Sequence, residues 1–369
     1  MTILYKRWSA QTGAEQGSAD AIQHEGNCLR MRILVTGGAG FIGSHFVRLL
    51  VKRDDAERVV NLDALRYSGN LNNLQDVASH ARYRFVQGDI CDTATVENLI
   101  KEHRIDTIAN FAAETHVDRS IDEPAGFVRT DVIGTSVLLE AARAAGVRRY
   151  LQVSTDEVYG HVPTGHSAES DPVVPRSPYA ASKAGADLLV GSYFTTYGVP
   201  VLITRGSNTF GPNQYPEKFI PLFVTNALED QALPLYGDGL QQRDWIYVED
   251  HCAGIAHVLD HGTPGEIYNV GGGSERTNIE VAQAILAILG KSPALIRHIT
   301  DRAGHDRRYA LNCGKMHKLG WHCGKDFEDA LKSTVLWYRD NPQWWKKIKA
   351  GEFRAYYEKL YRARLSEGV

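Results

Sequence analysis

Cysteine is scarce and shows no pairing pattern. The five cysteines, Cys28, Cys91, Cys252, Cys313 and Cys323, include no C-x-x-C pair. That argues against a zinc site and for a reducing compartment, the cytoplasm. The fourteen histidines also lack metal-ligand spacing, so no metal is expected. No apolar run approaches the roughly 18 residues that a membrane helix needs. There is no basic block, and the formal net charge is −3, which disfavours nucleic acid and anionic membrane as partners. No internal repeat and no Ser- or Pro-rich linker divides the chain. What is present is ordinary for a globular protein: 43% hydrophobic and 23% charged residues. The 369 residues suffice for one large α/β domain or two smaller ones.

Residues 1–30 are polar and carry no apolar signal core, so they read as a disordered leader, or as sequence ahead of a true start at Met31. From residue 32 onward, apolar β-type runs at 32–36, 58–62, 83–87, 107–111, 149–153 and 200–205 alternate with helical patterns. The helical patterns fill 41–53, 93–103, 124–146 and 178–198. This alternation predicts βαβ units and a parallel sheet covered on both faces. After 205 the rhythm breaks and Gly and Pro become frequent. The expected fold is α/β, a Rossmann-type doubly wound parallel sheet with a smaller, irregular substrate-binding α/β domain. A nucleotide-binding domain is expected over 31–205 and a mainly substrate-binding one over 206–369, with residues about 245–270 returning to the first.

Thr36-Gly37-Gly38-Ala39-Gly40-Phe41-Ile42-Gly43 follows the first strand and opens a helix. Glycines there allow a tight turn and let backbone approach a pyrophosphate at a helix N-terminus. Asp63 ends the second strand, where it can accept hydrogen bonds from an adenosine ribose and repel a 2′-phosphate. That favours NAD over NADP, although Arg66 nearby is a residue type that binds such a phosphate. Asp89 and Ile90 end the third strand, where an adenine edge can be read or the chain can simply turn.

Two carboxylates, Asp156 and Glu157, follow the apolar run Tyr150–Val153, at the carboxyl end of a central strand, where open α/β sheets bind ligands. Tyr179 and Lys183 are four apart and share a helix face. A tyrosine acting as base near neutrality must lose several units from a pKa of roughly 10, and Lys183 offers positive charge for that. Thr155 can hold a substrate hydroxyl. Elimination of water needs one group to take a carbon-bound proton and another to protonate the leaving hydroxyl. Two adjacent carboxyl groups serve if burial and mutual repulsion push their pKa values apart.

On these residues the chain resembles the extended short-chain dehydrogenases/reductases, specifically the nucleotide-sugar 4,6-dehydratases of the dTDP-glucose type. The resemblance runs from Met31 to the C-terminal region. It is carried by Gly37–Gly43, Phe111–Ser120, Ser154–Gly160, Tyr179–Lys183, Arg243-Asp244-Trp245 and Asp301–Tyr309. It implies that Tyr179, helped by Lys183 and Thr155, deprotonates the sugar C4 hydroxyl while NAD takes the C4 hydride. Glu157 would then remove the C5 proton, Asp156 would protonate the departing C6 hydroxyl, the hydride would return to C6, and C5 would be reprotonated. It also implies a cofactor lining of Gly37, Gly40, Phe41, Ile42, Gly43, Asp63, Asp89, Ile90, Ala112, Ala113 and Thr130, with Tyr179 and Lys183. The implied substrate lining is Thr115, Arg119, Asn208, Lys218, Pro234, Tyr236, Arg243, Asn278, Asp301 and His305.

Two positions depart from that pattern. Thr209 stands where the family usually has a second Asn near the nicotinamide, and Arg66 replaces a usual Thr. The small residues Ala180, Ala181, Ala184 and Gly185 lie on a helix that family members pair across a two-fold axis, which implies a homodimer. Alternative activities are dehydration of UDP- or CDP-glucose, 4-epimerisation of a nucleotide sugar, or non-catalytic dinucleotide sensing. An epimerase has no work for Asp156 and Glu157, and a sensor has none for the Tyr–Lys pair.

Overall fold

The apolar runs ahead of each predicted helix become strands of one sheet. The computed structural model describes residues 30–367; the leader up to residue 29, with Cys28, lies outside the described residues. The strands are β1 (Met31–Thr36), β2 (Ala56–Asp63), β3 (Tyr83–Gln87), β4 (Thr107–Asn110), β5 (Arg149–Thr155), β6 (Val201–Gly206), β7 (Asn208–Phe210), β8 (Leu233–Tyr236), β9 (Gln242–Tyr247), β10 (Ile267–Val270), β11 (Glu275–Thr277) and β12 (Ile296–Ile299). Seven of them form a sheet in the order β3-β2-β1-β4-β5-β6-β10. Every neighbouring pair in it is parallel.

Burial on both faces explains why these strands carry no polar alternation. In β1, Ile33, Leu34 and Val35 are all fully buried. Successive side chains point to opposite faces. Ile33 and Val35 pack with Phe46, Val47 and Leu50 of the helix Phe41–Val51. Leu34 packs on the other face with Val96 and Leu99 of the helix Thr93–Glu102 and with Leu138 and Leu139. The chain leaves β1 for β2 on one side and reaches β4 on the other, which opens a crevice at the carboxyl ends of β1 and β4.

The predicted helix over 124–146 is interrupted. A helical turn Pro124–Phe127 leads into a π-helical stretch Val128–Gly134 and then the helix Thr135–Ala145, which ends at left-handed Gly146. Gly134 lets the widened turn rest on Ile90, since a Cβ there would lie 2.4 Å from the Ile90 side chain. The helix Pro178–Tyr197 starts where predicted, with Pro178 at its first position and the Ser177 hydroxyl accepting from the Ala180 N–H.

The chain beyond β6 is less regular. β7, β9 and β11 make a small sheet, and β8 pairs with β12. The helices Phe219–Leu228, Asn278–Leu289, Phe327–Asp340 and Glu352–Glu367 pack around them. A reciprocal capping box between Thr277 and Glu280 starts the second of these. Among the described residues, no helix is long and apolar enough to cross a membrane. None of their His, Cys, Asp and Glu side chains group as a metal site.

Candidate active site

A cavity of about 290 Å³ opens at the crevice between β1 and β4 and runs past the end of β5. Its floor is the glycine turn after β1. A Cβ on Gly43 would lie 2.3 Å from the Gly37 carbonyl, and one on Gly37 would lie 2.7 Å from the Ala112 nitrogen. Gly37 also has φ +67, which favours glycine. Gly40, Phe41 and Ile42 complete this floor.

Asp63 is buried at the tip of β2 and accepts the Ala39 N–H at 2.9 Å and the Leu65 N–H at 2.8 Å. Each carboxylate oxygen retains a second lone pair, so a ribose hydroxyl can still donate to it. Arg66 reaches both Asp89 (3.0 Å) and Glu114 (2.8 Å). Its charge is taken up by two carboxylates, which leaves this corner suited to a free ribose rather than to a phosphate. Asp89, Ile90, Ala112, Ala113 and Thr130 line the same cavity. The Thr130 hydroxyl is buried with no partner among the described residues. The cradle, the acid and this open hydroxyl together fit a dinucleotide with an unphosphorylated ribose.

Thr155, Asp156, Glu157, Tyr179 and Lys183 come together at the inner end of the cavity. Asp156 is 3% exposed, and Glu157 is the more accessible of the two acids. Burial first, then the charges of Glu157 and Asp244, push the Asp156 carboxyl far above its ordinary range; Arg243 and Thr155 oppose this. Burial also raises Glu157, but three cations, Arg302, Arg243 and Lys218, pull it back. The two carboxyls therefore sit in unequal surroundings: burial raises both, two neighbouring carboxylates raise Asp156 further, and three cations moderate the rise at Glu157.

Tyr179 departs from the expectation of a lowered pKa. Burial, then Glu157 and Asp131, hold its hydroxyl well above the ordinary phenol value, and the Thr155 hydroxyl favours ionisation. The Lys183 ammonium donates to the Val153 carbonyl at 2.8 Å, so it is anchored to β5. Carboxylates crowd the phenol more closely than the helix spacing alone indicates.

The candidate substrate residues divide into two groups. Thr115, Asn208 and Lys218 line the cavity, and the Lys218 ammonium donates to the Thr115 carbonyl. Arg119 pairs with the buried Glu217 at 3.0 Å. The others surround the outer loop 237–241. Pro234 and Tyr236 lie on β8, and Asn278 opens its helix with its N–H on the Gln241 carbonyl. Asp301 accepts from Gln241 at 2.9 Å and contacts His305 Nδ1 at 2.6 Å. The Tyr236 and His305 rings meet edge to face at 5.9 Å. Arg243 links the groups: its guanidinium is buried, donates to the Asp306 carbonyl at 2.9 Å, and stacks 4.4 Å over the Tyr309 ring.

A model described as GDP-mannose 4,6 dehydratase matches residues 34–334. The chain belongs to this dehydratase family. Among family relatives, a dTDP-glucose 4,6-dehydratase from Actinoplanes sp. is 51% identical over 321 residues, covering 85% of this chain and 100% of that one. The solved structure of DesIV, a dTDP-glucose 4,6-dehydratase from Streptomyces venezuelae with NAD and dTDP bound, superposes with a TM-score of 0.84 at 51% identity. It covers 86% of this chain and 100% of that one. A UDP-glucose 4-epimerase from Thermus thermophilus in complex with NAD gives a TM-score of 0.79 at 33% identity, covering 84% and 100%.

Several residues at the dehydratase-like site escaped sequence reasoning. Asp131, from the π-helical stretch, accepts the Glu114 N–H at 3.1 Å and the Ser182 hydroxyl at 2.6 Å. It is buried, and its pKa is pushed up to about 6 by burial, against the pull of Lys183. A single acid in a helical pattern carries no signal of that. Arg302 stands inside the segment that carried the resemblance, yet only the fold brings it near Glu157. His251 is another: it contacts the hydroxyl of Thr209, the position where the family usually has Asn, at 2.7 Å, and both line the cavity.

Proposed function

We propose that the chain converts dTDP-glucose to dTDP-4-keto-6-deoxyglucose with loss of water. The observation that carries this is the unequal setting of Asp156 and Glu157 beside Tyr179: a simple alcohol oxidation has no use for it, and an elimination requires it. The cradle and Asp63 support NAD as the bound group, whose chemistry is a reversible hydride store, accepting from C4 and returning to C6.

The rest of the work falls to side chains. Thr155 orients the C4 hydroxyl and Tyr179 takes its proton as the phenolate, a form that Lys183 and the positive charge of a bound oxidised nicotinamide would favour. The carbonyl formed at C4 acidifies the C5 hydrogen, and Glu157 removes it. Asp156 holds the proton that passes to the C6 oxygen as the C6–O bond breaks, so the hydroxyl leaves as water; C5 regains a proton as C6 is reduced. Positioned acid–base groups of this kind contribute roughly 10²–10⁴ each in rate. Arg243 and Lys218 supply the charge that a diphosphate calls for, and the loop 237–241 with Tyr236, Asp301 and His305 supplies neighbours for the nucleoside.

A homodimer fits the exposed apolar side chains Ile121, Val128, Ile133, Leu188, Phe194 and Tyr197, which lie on neighbouring helical segments. Gly185 serves contact within the chain instead, since a Cβ there would lie 3.3 Å from Val132. A monomer's mass by light scattering would exclude the dimer. Cys91, Cys252, Cys313 and Cys323 are free thiols, which suits a cytoplasmic enzyme.

The test is to incubate the purified protein separately with dTDP-, UDP- and CDP-glucose and follow the sugar by NMR. A 4-keto-6-deoxy product from dTDP-glucose is expected. A C4 epimer, or no change with any substrate, sinks the proposal.

A further inference from the structure

The helix Glu352–Glu367 touches both walls of the candidate substrate cleft. On one side is the short helix Val117–Asp122, which carries Arg119. Six residues are too few to hold a helix unaided, because nucleation is costly and few hydrogen bonds repay it. The C-terminal helix supports it at three points. The Tyr356 hydroxyl lies 3.3 Å from Nδ1 of the capping residue His116. The Tyr356 ring lies 4.0 Å from the Arg119 guanidinium carbon. Lys359 donates to Asp122 at 2.7 Å. That last pair is exposed and adds little, so the ring on Arg119 carries most of the contact.

Arg119 is held from another direction too. The Tyr67 ring also lies 4.0 Å from its guanidinium carbon, and the Tyr67 hydroxyl is 3.2 Å from Thr115 Oγ1 at the cavity wall. Two rings and the Glu217 carboxylate leave the guanidinium little freedom. At the far end of the C-terminal helix, Arg364 donates to the Tyr236 hydroxyl at 2.9 Å. The buried Tyr361 ring stands 6.2 Å from that of Tyr236. One helix thus ties the Arg119 wall to the Tyr236 wall, through residues more than 100 positions away in sequence.

We propose that Tyr356 and Arg364 are positioning residues for the nucleoside diphosphate sugar, and that the C-terminal helix is a strap setting the width of its cleft. This rests on the reading of Arg119 and Tyr236 as substrate residues. The test is steady-state kinetics with dTDP-glucose on full-length variants, together with the NAD retained per chain. Tyr356→Leu is expected to raise KM roughly 5- to 30-fold, with kcat within about twofold and NAD retention unchanged. Tyr356→Phe keeps the ring and should stay within about threefold of the parent KM. Arg364→Leu should raise KM by a smaller factor than Tyr356→Leu. A parent-like KM in Tyr356→Leu, or a joint loss of kcat and retained NAD, overturns the strap. If Tyr356→Leu does not fold, an unchanged KM in Arg364→Leu overturns it instead. Arg119→Ala separates the failures: a raised KM there with a parent-like Tyr356→Leu sinks the strap alone, whereas no effect in either sinks the substrate reading itself.

Discussion

The cofactor side and the substrate side of this molecule are built in different ways. The cofactor cradle is mostly backbone. A contiguous turn, Gly37–Gly43, and the tips of β1, β2 and β4 make it, and a Cβ added to its glycines would come as close as 2.3 Å to neighbouring main chain. The substrate side is mostly side chain. The groups proposed for it are Thr115, Arg119, Lys218, Tyr236, Arg243 and Asp301, held by partners such as Glu217, Tyr309 and Tyr356. The first kind of site needs a local conformation. The second needs distant elements to close on each other, so it is open to adjustment at more places.

The comparison makes Glu157→Gln the most damaging change on the substrate side. Product formation should fall roughly 10²–10⁴-fold while C4 oxidation and retained NAD persist. Solvent deuterium at C5 and bound reduced cofactor would report this. If NAD were lost from Glu157→Gln as well, the two sides would not be separable.

Asp131 lies at the seam and sharpens the comparison through pH. Its folded pKa is about 6 against an ordinary 3.8. Below 3.8 the carboxyl is protonated whether folded or unfolded, so no cost arises. As pH rises towards about 6, the folded form keeps a proton that the unfolded chain has lost, and stability falls. Above that, the full cost is about 3 kcal/mol. Asp131→Asn should therefore be more stable than the parent at neutral pH, by up to about 3 kcal/mol, and equal to it near pH 4 in denaturant melts. Equal stability at both pH values would mean that Lys183 fully offsets the buried charge.

Gly43→Ala is the smallest expected change in energy and the cleanest on the cofactor side. The new Cβ would press on the Gly37 carbonyl, so a loss of roughly 1–3 kcal/mol and of NAD retained per chain is expected. Unchanged retention would show that the turn yields more easily than a backbone-built cradle should.

The fold was largely legible in the sequence because βαβ alternation and doubly buried strands leave a plain pattern. The strands predicted from 32–36 to 200–205 are β1 to β6. The break at Val128–Gly134 was not legible, since a π turn keeps helical composition and is decided by what Gly134 packs against. In the site, the glycine turn, Asp63, the acid pair and the Tyr–Lys spacing were visible as motifs. The direction of the Tyr179 shift was not, because Glu157 and Asp131 reach the phenol only once the strands and helices are stacked.

Sequence alone determined which groups are available and on which element each stands: two acids after β5, a tyrosine and lysine one turn apart, and an acid at the tip of β2. Those are properties of spacing, which chain geometry enforces locally. Tertiary structure decided how far each group's proton affinity is shifted. Asp156 and Glu157 are adjacent and alike in chemistry, yet one is buried beside Asp244 and the other faces Arg302, Arg243 and Lys218. Burial and distant charges set that difference, and neither is a property of neighbours along the chain.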